Sequence, residues 1–152
     1  MNPLASEGTQ LMQDIAPEVV SIADACLGGL WGRSALLIGP QEQRAPYTTL
    51  LQRAGMTYIF QEDTPFHVSS LLSKVQLLIS VPAPRALESS PVPLLTAANI
   101  AQGCNGRHTP LLIFDLAQST SVEEMAGLLP AVCLYTPEDV RHILSQVGAS
   151  IY

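Results

Sequence analysis

Charged side chains make up only 13% of this 152-residue chain, and only seven residues are Lys or Arg. Phosphate backbones are gripped by clustered cations, so a few scattered ones under a formal net charge of -6 exclude a broad electrostatic hold on RNA or DNA. Cysteine is sparse too. Cys26, Cys104 and Cys133 lie far apart and form no Cys-x-x-Cys pair, which disfavours a disulfide framework and a zinc site. Each is expected to be buried as a small apolar residue. No apolar run approaches membrane-spanning length, and the first residues, with Glu7 and Asp14, show neither a basic segment nor an apolar core of secretory type. The expectation is a protein of the reducing cytoplasm with no membrane contact. No internal repeat is visible.

What is present is enough apolar content, 47%, for one good core. The expected organisation is an N-terminal arm over residues 1–16 and a single domain over 17–152. Within it, the stretch from Ser34 to Gly55 sets the pattern. A short apolar run, Ser34 to Ile38, closes on Gly39; a polar turn follows, then a helix opened by Pro46 that carries Leu50 and Leu51 and stops at Gly55. Before it, a helix from Pro17 carries Val19, Val20, Ile22, Ala23, Cys26, Leu27 and Leu30 and weakens at Gly28 and Gly29. After it come a strand at Thr57 to Phe60, a breaker at Gln61 to Pro65, a short helix at Phe66 to Ser73 and a strand at Gln76 to Val81. Pro82, Pro84, Pro91 and Pro93 then stiffen a connection. Further helices are expected at Leu94 to Gln102 and Val122 to Leu128, with strands at Leu111 to Phe114 and Val132 to Tyr135. The last helix is capped by Thr136, opened by Pro137, Glu138 and Asp139, and stopped by Gly148.

Strands alternating with helices imply an α/β fold: a Rossmann-like, doubly wound parallel sheet of about five strands with helices on both faces. The ligand crevice of such a sheet lies beyond the carboxyl ends of its strands. Those ends are Gly39 to Arg44, Gln61 to Thr64, Ser80 to Pro84, and Asp115 to Thr120. The candidate cofactor-binding residues are therefore Gly39, Pro40, Gln41, Arg44, Gln61, Glu62, Ser80, Val81 and Asp115.

Their chemistry is mixed. A dinucleotide fingerprint, Gly-x-Gly-x-x-Gly, needs free amides and no side chain between backbone and pyrophosphate. Here Gly39 is followed by Gln41 and Arg44 in place of the second and third glycines, and Pro40 removes an amide. Arg44 either contacts an anion through its guanidinium or belongs to a structural turn. Glu62 lies where an acid takes the ribose hydroxyls of NAD and would repel the 2′-phosphate of NADP; the alternative is a solvated loop carboxylate. Asp115 is either functional or caps the following loop. His67, His108 and His142 share no metal spacing and no relay, so no metal site and no catalytic residue is assigned.

These residues resemble the central nucleotide-binding domain of glutamyl-tRNA reductase, the first committed enzyme of five-carbon tetrapyrrole synthesis. Its Gly-Ala-Gly-Glu-Met-Gly reads Gly39-Pro40-Gln41-Glu42-Gln43-Arg44 here. Its later signature, an apolar strand into Asp-x-Ala-x-Pro-Arg and then Leu-x-x-Val-x-Leu-Tyr before an acidic helix start, matches Asp115-Leu116-Ala117 and Leu129-Pro130-Ala131-Val132-Cys133-Leu134-Tyr135. The likeness runs over roughly residues 15 to 145. The family's Asn-Arg after strand two, which favours NADP, is replaced by Gln61-Glu62, and its Pro-Arg by Ser119-Thr120. Cys104-Asn105-Gly106-Arg107 only echoes the family's cysteine motif, in a turn inside the nucleotide domain. Precorrin-type dehydrogenases share a similar first turn.

The resemblance implies a diverged nucleotide-fold protein that binds or regulates in tetrapyrrole metabolism without transferring hydride alone. The alternative is an NAD(P)-binding oxidoreductase subunit whose catalytic cysteine comes from another chain. NAD(P) is the implied cofactor, weakened by the altered fingerprint and with NADH favoured over NADPH; haem is left open. A homodimer or a protein partner is expected, through the first helix (Val19, Ile22, Cys26, Leu30) and the last (Val140, Ile143, Leu144, Val147).

Overall fold

The computed structural model describes residues 15–65, 68–82, 95–117 and 122–151, the last five of these by backbone alone. Helix α1 spans Ala16–Leu27, with Pro17 in its first turn, where no intrahelical donor is lost. It ends because Gly28 turns left-handed at φ 68° and Gly29 donates back to the Asp24 carbonyl at 2.8 Å. Strand β1 is Ser34–Ile38, followed by α2 at Gln41–Arg53 and β2 at Tyr58–Glu62. A single turn, α3 (Ser69–Leu72), precedes β3 (Leu77–Ser80), and α4 (Ala97–Gly103), capped by Thr96, precedes β4 (Leu111–Asp115). A 3-10 turn at Glu124–Leu128, β5 (Val132–Tyr135) and α5 (Pro137–Ile151) complete the chain.

The five strands are all parallel, in the order β2-β1-β3-β4-β5. Alternate side chains of the central strands feed two cores. Ala35, Leu37, Leu77, Ile79, Leu112 and Phe114 pack with α1, α2 and Val140 of α5, while Leu36, Ile38, Leu78, Leu111 and Ile113 pack with residues of α3, α4 and the 3-10 turn. The sheet is therefore sandwiched between two helical layers, as its continuous apolar strands demand. Connections leave β1 toward β2 and leave β3 toward β4, so the topological switch falls between β1 and β3. That is where such sheets open a crevice.

Several boundaries differ from the sequence expectation, each for a physical reason. Helix α2 begins at Gln41 and carries Pro46 in its interior, because the extended Pro40 already supplies the cap. Strand β2 lies further along than Thr57–Phe60 and includes Gln61 and Glu62; as an edge strand largely open to solvent, it has no need of apolar residues there. Helix α5 runs through Gly148 to Ile151 rather than stopping. Cys26 and Cys133 are exposed, and only Cys104 is buried. Of the two helical faces expected to seek partners, Val19, Leu30 and Val140 are core residues and Ile22 and Leu144 pack against them, while Cys26 is exposed and Ile143 half-buried. Residues 1–14 of the N-terminal arm, Phe66, His67, residues 83–94 of the proline-dense connection, Ser119, Thr120 and the Val147 side chain lie outside the described residues, and Ala16, placed in the arm by the sequence, is the first residue of α1.

Candidate functional site

The crevice is built around Gly39. Its φ of 131° is one that L side chains rarely adopt, and a Cβ there would come within 2.5 Å of Val81 Cγ2. The turn is held by ladder bonds continued one step past the strands: Gly39 N–H donates to the Glu62 carbonyl at 2.9 Å, and Val81 N–H to the Ile38 carbonyl at 2.9 Å. Gly39 is thus required for close packing of β1 on β3. A Val81 methyl fills the space above it.

Helix α2 starts directly after. Pro40 has no amide to offer, and its carbonyl accepts from both Gln43 (3.0 Å) and Arg44 (3.1 Å). Of the first turn, the Gln41 and Glu42 amides are left, with the Glu42 carboxylate beside them. A carboxylate complements the positive end of the helix but competes with any phosphate brought there.

Arg44 is the most unusual residue of the site. Its side chain is buried, and its guanidinium reaches the carboxyl end of β2, where Nη1 donates to Gln61 Oε1 at 3.1 Å and Nη2 meets Asp63 Oδ1 at 2.8 Å. Arg44 is 9% exposed at its side chain and Asp63 81%, so one charge of the pair is sheltered and the other is in water. Thr48, one turn on, leans toward the same Gln61 amide oxygen at 3.5 Å. Among the described residues Arg44 Nε, Gln43 Oε1 and the Tyr47 hydroxyl are buried without a hydrogen-bond partner. Burial, with a smaller contribution from Glu18, pushes the Tyr47 hydroxyl above the ordinary tyrosine range.

On the far side of the switch, Ser80 and Asp115 are register partners at the ends of β3 and β4, and both are buried. Asp115 accepts from the Ala117 amide (3.3 Å) and the Val122 amide (3.0 Å), so its carboxylate ties both ends of the loop after β4. A separate groove of about 580 Å³ lies between β5 and α5, lined by Cys133, Tyr135, Glu138 and His142 among others. It sits on the outermost strand and shares no residue with the crevice.

No family model matches the chain. It is 29% identical over 148 residues to glutamyl-tRNA reductase of Methanospirillum hungatei, covering 85% of this chain and 35% of that protein. It is 24% identical over 145 residues to glutamyl-tRNA reductase of Alkalilimnicola ehrlichii, covering 87% and 32%. Among solved structures, glutamyl-tRNA reductase from Methanopyrus kandleri matches with a TM-score of 0.69 at 19% identity, over 89% of this chain and 37% of that one. The chain is similar to one domain of glutamyl-tRNA reductase. It spans about a third of the length of the curated relatives it matches. A phosphoglycerate oxidoreductase from Vibrio cholerae, with a TM-score of 0.50 at 14% identity, shares the fold alone.

Within this glutamyl-tRNA reductase-like frame, the nine candidate residues fall into groups. Gly39 and Val81 are in contact, as are Arg44 and Gln61. Glu62 lies on the sheet face opposite Gln61, because successive strand side chains alternate, and it joins the site through its carbonyl. Ser80, Val81 and Asp115 are buried, while Gln41 is exposed and Pro40 half-buried. The residue sequence reasoning missed is Asp63. Read as a chain breaker, it is the acid that faces α2, and the available signal was an arginine in the third-glycine position needing a partner. Among the described residues no three His, Cys, Asp or Glu side chains gather as a metal site, and no helix is long and apolar enough to cross a membrane. Arg107, of the turn that echoed a cysteine motif, donates to the Leu72 and Val75 carbonyls and so braces the turn before β3.

Proposed function

We propose that this chain is a diverged, glutamyl-tRNA reductase-like nucleotide-fold domain that acts as a non-catalytic binding or regulatory protein linked to tetrapyrrole (haem) biosynthesis. One observation carries the reading. The first βα turn keeps the shape of a dinucleotide site while its phosphate-facing surface is spent on the protein itself: Val81 over Gly39, no amide at Pro40, and Arg44 committed to Gln61 and Asp63. Hydride transfer requires a nicotinamide cofactor seated across that turn. A domain that holds it weakly does not turn over alone.

The test is an assay of the purified chain with glutamyl-tRNA and NADPH, read as aldehyde formation. None is expected. Measurable aldehyde above a no-protein control would overturn the proposal. The second reading, an NAD(P)-binding oxidoreductase subunit that takes its catalytic cysteine from another chain, is favoured by the Gln41 and Glu42 amides of the first turn of α2, which no side chain caps. Calorimetric titration with NADPH, NADH and haem separates the two. Micromolar binding of either nucleotide by the unaltered chain supports the second reading, and haem binding without nucleotide binding supports the first.

A further inference from the structure

Rossmann-like sheets place a dinucleotide's pyrophosphate at the first helix N-terminus and the adenosine ribose at the carboxyl end of the second strand, where an acid takes its hydroxyls. In this chain one residue of the helix's first turn sends its side chain to the second of these places. Arg44 occupies the position of the third fingerprint glycine, whose small size lets helix and strand approach closely. From there its guanidinium lies 2.8 Å from Asp63 and 3.1 Å from Gln61, the polar groups on the α2 side of the β2 terminus. The residue is 7% exposed, so its stem fills the gap between α2 and β2 and is no solvated surface arm.

We infer that Arg44 is a built-in plug of the ribose subsite, and that this one residue, more than the loss of the second glycine, shuts the crevice to dinucleotides. The inference rests on the function proposed above and names the residue responsible. Two chemical facts support it. Arg44 holds Asp63 Oδ1 and Gln61 Oε1, so a ribose seated on the α2 side of the β2 terminus meets its guanidinium first, and expelling Arg44 would break both contacts at once. Glutamine at position 41 is a lesser obstacle, because its side chain is exposed and free to swing away.

The contrary geometry is also chemically sensible. A guanidinium at the β2 terminus can read a 2′-phosphate, with Asp63 displaced by the incoming dianion. The experiment therefore compares both nucleotides. NADH and NADPH are titrated calorimetrically into the unaltered chain, Arg44→Gly and Arg44→Ala; the alanine variant avoids the helix penalty of glycine and serves if the glycine variant does not fold. The expected result is no binding by the unaltered chain and a gain of at least about tenfold for NADH in either variant, for instance from a Kd above about 1 mM to below about 100 μM. Folded variants that gain no NADH affinity overturn the plug while leaving the proposed function standing. NADPH binding by the unaltered chain that is lost in Arg44→Ala also overturns it, by making Arg44 a ligand. The aldehyde assay reports on the proposed function independently of both.

Discussion

Replacing Gly39 with alanine tests how closely the ends of β1 and β3 are packed at the turn. The substitution does two things at once. It places a Cβ on a backbone whose φ is 131°, and it drives that Cβ to 2.5 Å from Val81 Cγ2. Unfavourable backbone conformations of this kind cost on the order of 1–3 kcal/mol, and inserting a methyl into a packed site costs roughly 1–3 kcal/mol more. Gly39→Ala should therefore lose about 2–6 kcal/mol, a large part of the stability of a domain this size. The two contributions separate in a double-mutant cycle. Val81 is 2% exposed, so Val81→Ala alone should cost about 2 kcal/mol from lost burial. Because it also removes the opposing methyl, the double variant should lose less than the sum of the singles by about 1–3 kcal/mol, the steric share. Urea unfolding followed by circular dichroism gives each value by linear extrapolation. A Gly39→Ala loss below about 0.5 kcal/mol, or strict additivity with Val81→Ala, would refute the described contact.

Tyr47→Phe should be neutral or stabilising by up to about 1 kcal/mol, since it removes a buried hydroxyl that has no partner among the described residues. A loss of more than that in thermal unfolding would reveal a bond to the hydroxyl. The raised values of Tyr47 and Tyr135, the latter owed first to its hydrogen bond with Cys26, mean that the folded protein keeps protons the unfolded chain releases. Stability should hold below about pH 10 and fall as pH rises above it, by about 1.4 kcal/mol per pH unit for Tyr47, a slope that Tyr47→Phe removes. Asp115→Ala strips the acceptor from two buried amides and should cost about 2–4 kcal/mol, with faster proteolysis of the loop after β4. Self-association should depend on exposed apolar residues such as Leu128 (82%) and Met125 (63%) rather than on α5; light scattering of Leu128→Glu against Ile143→Glu, a half-buried α5 position, decides this.

The strands of the sheet interior were readable from the sequence because burial on both faces writes an uninterrupted apolar run, as in Leu111 to Phe114 and Ser34 to Ile38. The edge strand β2 was less readable. One side of it faces water, so Gln61 and Glu62 carry no apolar signature of being paired with Leu37 and Ile38. The start of α2 was missed because Pro46 is a conventional first-turn residue, whereas here the fixed φ of Pro40 performs that task. The identity of the crevice residues was legible, yet their state was not. Whether Arg44 faces a ligand or its own chain depends on the packing of α2 against β2, a relation between elements that linear spacing does not encode.

Trp31 is the sole tryptophan, and its position has a practical consequence. It is 84% exposed, with its indole edge over Gly55, on the rim where the chain enters β1. Five strand residues, about 17 Å, separate that rim from the Gly39 turn. Emission from Trp31 will therefore track unfolding of the β1 entrance rather than side-chain rearrangement at the crevice, so a shift in its wavelength marks opening of that end of the sheet.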